Sequence, residues 1–174
     1  MNKAERLRIP AEIATAALVA YLLGYWFTDL FPGYLPKIGG LWSAISAIVV
    51  TQATRKETTS SASLRILGSA IGAGTSAIYL TLLPFHPLGM AVAIFATVAL
   101  CAAIKIPSHG RLAAITVIVV MVTGSLDPKL SSGLNALLRF AESGIGTGVA
   151  VLAARVWPSA IIQAGGDSSS PHNY

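Results

Sequence analysis

The sequence predicts an all-α membrane protein: six transmembrane helices arranged as an inverted repeat of three plus three. Three observations carry that prediction. The mean hydropathy is +0.70, with 54% hydrophobic and 11% charged residues, whereas a soluble chain is about a quarter charged. The apolar residues fall into blocks separated by Pro, Gly and charged clusters. One stretch also occurs twice. Arg65-Ile-Leu-Gly-Ser-Ala-Ile-Gly-Ala-Gly74 returns as Arg139-Phe-Ala-Glu-Ser-Gly-Ile-Gly-Thr-Gly148, and upstream of each copy Ala44-Ile-Ser-Ala-Ile-Val-Val50 is matched by Ala114-Ile-Thr-Val-Ile-Val-Val120.

The first span runs from about Ile9 to Leu30, with Pro10 in a first turn where its missing N–H costs nothing. The second covers about Gly40 to Thr54, between Lys37 and Arg55-Lys56-Glu57. The third covers about Leu64 to Leu83, stopped by Pro84 and Pro87, and the fourth about Leu88 to Ile104, stopped by Lys105 and Pro107. The fifth covers about Arg111 to Leu126 and the sixth about Leu134 to Trp157, closed by Pro158. A transmembrane domain thus occupies 1–158, with repeat 1 at about 9–84 and repeat 2 at about 86–158. The polar Gly/Ser-rich residues 159–174 are expected to form a disordered cytoplasmic tail. The basic start followed by apolar sequence resembles a signal peptide, but without a small-residue cleavage site it is expected to stay as a membrane helix.

Orientation follows from Lys and Arg in the short loops. With the N-terminus inside, Lys3, Arg6, Arg8, Arg55, Lys56, Arg65, Lys105, Arg111 and Arg155 fall on the cytoplasmic side, and Lys37, Lys129 and Arg139 on the other. Both termini are then cytoplasmic. Tyr25, Trp26, Tyr34 and Trp42 would form an outer interfacial belt, with Trp157 on the inner side. Three spans per repeat is an odd number, so the halves face opposite ways, as in many secondary transporters.

The second and fifth spans are the short ones, at equivalent places in the halves, which points either to a transport site or to local thinning and tilt. Arg65 and Arg139 each open an apolar helix at the same point of the repeat. A guanidinium at membrane depth is paired, hydrated or used. It also matches a carboxylate through two parallel hydrogen bonds, and a nearby helix N-terminus would add positive potential. Snorkelling to lipid phosphate is the alternative. Gln52 and Thr54, with Thr51, make the inner end of the second span polar enough to line a route. Glu142, three residues after Arg139, replaces the Gly68 of the first copy; it either carries a proton for coupled transport or neutralises Arg139. Gly68, Gly72, Gly144 and Gly148 are expected to pack the halves together. Glu12, four residues after Arg8, reads as an i,i+4 pair.

Other classes find no support. No basic run with interleaved aromatics suits nucleic acid. The three His residues lie in loops or the tail with no acid or Cys cluster, so no metal is expected. Cys101, the single cysteine, reads as a packing residue. No nucleophile elbow or phosphate-binding loop appears, so neither an enzyme nor a cofactor is expected.

The order Trp42-x3-Ser46-x5-Gln52-x-Thr54, Thr58, Arg65-x2-Gly68-Ser69-x2-Gly72 resembles the fusaric acid resistance (FUSC) and aromatic acid exporter family, which is distantly similar to plant aluminium-activated malate transporters. The similarity covers most of residues 10–158, with matches at Trp42, Gln52, Thr58, Arg65, Gly68 and Gly72. Ala53, Lys56 and Ser60 depart from the family's usual Pro, Gly and Arg, and the large cytoplasmic domain of longer members has no counterpart here. The resemblance implies a bacterial inner-membrane exporter or channel for organic, often aromatic, carboxylates, working as a homodimer or higher homo-oligomer. On it, Arg65, Arg139, Gln52, Thr54 and Trp42 are substrate-binding candidates and Glu142 the proton-coupling one. A non-transporting accessory membrane subunit is the competing expectation.

Overall fold

A computed structural model of the chain describes residues 3–126 and 131–156, with the side chains of 3–6 and 8 excepted. The described residues form six α-helices and no strand: α1 (Lys3–Asp29), α2 (Pro36–Val50), α3 (Arg55–Leu82), α4 (Pro87–Ala103), α5 (Gly110–Leu126) and α6 (Ser132–Val156), with a 3-10 turn over Pro107–His109 leading into α5. Three segments, Ile9–Asp29, Pro107–Leu126 and Ser132–Val156, are long and apolar enough to cross a membrane.

Local chemistry explains most boundaries. Pro36 and Pro87 occupy the first turns of α2 and α4, where an absent N–H costs no helical bond. His86 caps α4 by accepting the Leu88 N–H at 3.2 Å. Three boundaries correct the sequence expectations. α3 begins at Arg55 rather than near Leu64, because Thr54 is its N-cap: the Thr54 hydroxyl accepts the Glu57 N–H at 3.2 Å and donates to Oε2 of Glu57 at 2.9 Å. α1 starts ahead of Pro10, which lies inside the helix and not in its first turn. The fifth span is not short, since the 3-10 turn extends it to 20 residues; the shorter apolar helices are α2 with 15 and α4 with 17.

Side-chain neighbours fix the helix directions. Gly24 faces Ser43 and Thr28 faces Gly39, so α1 and α2 run antiparallel. Gly68 faces Leu112, Gly72 faces Thr116 and Gly124 faces Leu80, so α3 and α5 run parallel. Trp42 reaches Arg139, and Gly146 faces Ser43 and Ser46, so α2 and α6 run parallel too. α3 and α6 run antiparallel: Arg55 bonds the Arg155 carbonyl at one end, Ser69 meets Ser143 in the middle, and Ser132 bonds the Leu80 carbonyl at the other end. α4 returns along α5, with Ala93 packed by Val117 and Met121. One end of the bundle therefore collects the start of α1, the α2–α3 and α4–α5 turns and the end of α6.

The same contacts recur with the two halves exchanged. A Cβ on Gly72 would strike the Ala113 carbonyl and come within 2.8 Å of Thr116 Cβ; a Cβ on Gly146 would strike the Ser43 carbonyl and come within 2.8 Å of Ser46 Cβ. Gly72 and Gly146 are equivalent in the repeat, as are Ser46 and Thr116. Such close approach lets backbones touch where no hydrophobic drive pulls helices together.

The packing glycines are not all those expected. Gly68 and Gly72 on α3 are packed against α5, a helix of the other half. Gly144 and Gly148 face open space, with nothing within 4 Å of a built Cβ. The tight position on α6 is Gly146. Hence Gly146→Ala and Gly72→Ala should each lower stability by about 1–3 kcal/mol, the usual effect of overpacking. Gly148→Ala should be neutral or gain up to about 1 kcal/mol from helix propensity. Unfolding titrations in mixed detergent micelles measure both.

Candidate functional site

The centre of the bundle is polar. Arg65, Arg139 and Glu142 are among the largest fully buried side chains, and Ser43, Ser46, Ser69, Thr116 and Ser143 are buried around them. Burying such groups is tolerated only where they find partners.

Arg65, on the third turn of α3, donates to the Ser46 hydroxyl from Nη2 at 2.8 Å and from Nε at 3.2 Å. Its guanidinium lies 4.5 Å from the Trp42 ring centroid, over a π face that attracts a cation. The indole N–H of the same Trp42 donates to the Arg139 backbone carbonyl at 2.9 Å. One aromatic side chain of α2 thus ties α3 to α6. Four hydroxyls continue from there: Ser46 to Ser143 at 3.4 Å, Ser143 to Ser69 at 2.8 Å, and Thr116 to Ser69 at 3.5 Å. Exchanging the halves maps this series onto itself, with the Ser69–Ser143 contact at its midpoint.

Arg139 is held differently. Its Nη2 pairs with Oε1 of Glu142 at 2.8 Å, and the Thr28 hydroxyl donates to that same oxygen at 2.6 Å. Nε and Nη1 of Arg139, Oε2 of Glu142 and Nη1 of Arg65 are buried without a hydrogen-bond partner among the described residues. Arg139 also lines a cavity of about 190 Å³, together with Tyr34, Leu35, Ile38, Thr123, Leu126, Asn135 and Gly33. Asn135 is fixed there, donating to the Val120 carbonyl at 2.9 Å and accepting from Thr123 at 3.1 Å. Apolar walls, an amide, a phenol and a guanidinium thus meet at one cavity.

The structure brings together Trp42, Arg65, Arg139 and Glu142 from the sequence-derived set, and separates Gln52 and Thr54 from them. Gln52 is exposed and its amide donates to the Val49 carbonyl at 3.1 Å; Thr54 caps α3. Neither lines the cavity beside Arg139. Trp42 is buried at 3% exposure and does not join an interfacial belt, whereas Trp26 is 65% exposed. Neither arginine sits at a helix N-terminus: Arg65 is ten residues into α3 and Arg139 seven into α6. Their stabilisation comes from side chains and not from terminal N–H groups. Arg8, the expected partner of Glu12, and Trp157 have side chains outside the described residues, as has the tail 159–174. Among the described residues no group of His, Cys, Asp and Glu could hold a metal ion.

Sequence reasoning missed Tyr34, Asn135, Thr123 and Thr28. Tyr34 and Thr28 belong to a helix end and a loop with no counterpart pattern, so no periodicity flagged them. Ser69 and Ser143 did stand in register in the repeat, and that identity was the available signal.

A helical bundle with apolar helices long enough to cross a membrane and ionisable groups at its centre defines a membrane-embedded protein of transporter-like build. The chain belongs to the fusaric acid resistance protein-like family, whose model matches residues 14–153. The wider likeness to aluminium-activated malate transporters has no match behind it. No curated protein and no solved structure matches the chain.

Removing the Trp42 bridge should be measurable. Trp42→Phe loses the bond to the Arg139 carbonyl and should cost about 1 kcal/mol. Trp42→Ala also loses the ring beneath Arg65 and should cost about 3–5 kcal/mol. Unfolding in detergent should rank the variants in that order.

Proposed function

We propose that the protein moves small organic anions, aromatic carboxylates above all, outward across a bacterial inner membrane. The observation that carries this reading is Arg139, 2% exposed, lining a cavity with Nε and Nη1 unfilled. A carboxylate placed there would accept from a guanidinium in surroundings of low dielectric, where each hydrogen bond counts for more than in water. Membership of a family named for resistance to fusaric acid, itself an aromatic carboxylic acid, agrees in substrate class. The chemistry is non-covalent binding and release.

The frame we propose is an inverted repeat of six spans. Supporting it are the contacts that recur on exchange of halves and the antiparallel course of α3 and α6, the equivalent helices. Arg55, Lys56, Lys105, Arg111 and Arg155 sit at the end that holds the α2–α3 and α4–α5 turns, against Lys37 at the other. By the positive-inside rule that asymmetry supports a cytoplasmic position for the first end, which holds the start of α1 and the end of α6. Gly74, Gly144 and Gly148, open on the surface, suit close approach by a second copy, and a homodimer is the proposed assembly.

The second reading, an accessory subunit without transport, is favoured by one feature: Arg65 is 0% exposed and spends two of its nitrogens on Ser46, as a purely structural tie would. Benzoate flux into liposomes holding only the purified protein separates the two. The transport reading expects flux in the wild type and a loss of at least about tenfold in Arg139→Ala, one factor of ten corresponding to 1.4 kcal/mol, at equal incorporation. Absence of flux in correctly folded wild type contradicts it and supports the accessory reading.

A further inference from the structure

Glu142 and an incoming anion would compete for one guanidinium. Its Oε1 already occupies Nη2 of Arg139 at 2.8 Å, while Nε and Nη1 stay unfilled. The carboxylate itself is 0% exposed, and it lies outside the cavity wall that Arg139 forms. Oε1 receives the Thr28 hydroxyl as well, but Oε2 is buried and receives nothing among the described residues. The empty site is neutral, one cation against one anion. Adding a carboxylate leaves the buried group with a net negative charge, which a low-dielectric interior opposes.

We propose that Glu142 is a built-in competitor of the transported anion for Arg139, so that an anion enters this site together with one proton, taken up on Oε2. The inference rests on the anion reading above. The charge count closes: Glu142 goes from carboxylate to carboxylic acid, the proton comes from water, and Arg139 keeps one anionic partner before and after. No other group facing Glu142 is placed to do this. Arg65 on α3 faces Trp42 and Ser46. Asp29 of α1 and Lys37 of α2, next to Thr28 and near Gly39, are exposed. Tyr34 lines the cavity beside Arg139, while the bonds to the Glu142 carboxylate come from Arg139 and Thr28. α5 contributes Thr123, which does not titrate, to that cavity. The device belongs to one half only. At the equivalent position of the first copy stands Gly68, so Arg65 has no carboxylate competitor, and among the described residues it has no ion pair.

The test is benzoate binding to purified wild type and Glu142→Gln in lipid nanodiscs, over about pH 6–8.5, where benzoate is fully ionised. Wild-type affinity should fall toward tenfold per pH unit on the alkaline side of the Glu142 titration, the slope of one linked proton. Glu142→Gln should bind with an affinity independent of pH. Calorimetry in buffers of different ionisation heat should count about one proton taken up per benzoate by the wild type. That count needs no variant, so it decides the matter even if Glu142→Gln fails to fold. Benzoate binding that requires Arg139 yet takes up no proton overturns the competitor role and leaves the anion reading standing. No benzoate binding by folded wild type at any pH overturns both.

Discussion

The molecule is organised around the point where α3 and α6 cross. Ser69 and Ser143 meet there at 2.8 Å, each in the same place of its repeat, and the helices that carry them run in opposite directions. Small residues bring the flanking helices in close. Gly72 admits α5 and Gly146 admits α2, each against a backbone carbonyl of its neighbour. Everything polar in the interior hangs from this arrangement: one turn from the crossing on either side stands an arginine.

An exact repeat would give both arginines the same surroundings, and the departures from symmetry are where chemistry enters. Arg65 is met by an aromatic face and a hydroxyl, which disperse its charge without cancelling it. Arg139 is met by Glu142, which cancels it, and it lines a cavity while two of its nitrogens stay buried without a partner among the described residues. Leu112 stands where the first half has Trp42, so no second indole can repeat the bridge. The interior thus repeats one set of packing contacts around two unlike arginines, one set against an aromatic face and a hydroxyl, the other paired with Glu142.

Much of the scaffold was legible in the sequence, because its determinants are local. Pro84, Pro87, Pro107 and the polar breaks set the helix count, and the repeated Arg and Ser, with Gly72 and Gly146, mark the packed faces. Other determinants were missed or misread. The Thr54 N-cap, with Glu57 three residues on, was present in the sequence, but the charged residues around it read as a loop, so α3 came out nine residues short. Gly144 and Gly148 share the four-residue spacing of Gly68 and Gly72, and spacing alone cannot tell the packed face of a helix from its open one. Gln52 and Thr54 were polar for capping and turn bonding. Tyr34 and Asn135 reach the Arg139 cavity only through the packing of α2, α5 and α6, which no single-chain pattern encodes.

The crossing itself can be trapped. In a chain carrying Cys101→Ala, the pair Ser69→Cys and Ser143→Cys should form a disulfide on mild oxidation in native membranes, recovered by mass spectrometry as one cross-linked peptide pair within a single chain. The pair Ser69→Cys and Gly148→Cys, with Gly148 facing open space, should stay reduced under the same conditions. If the Ser69–Ser143 pair resists oxidation in folded protein, or links only between separate chains, then α3 and α6 do not cross as described, and the account built on that crossing fails.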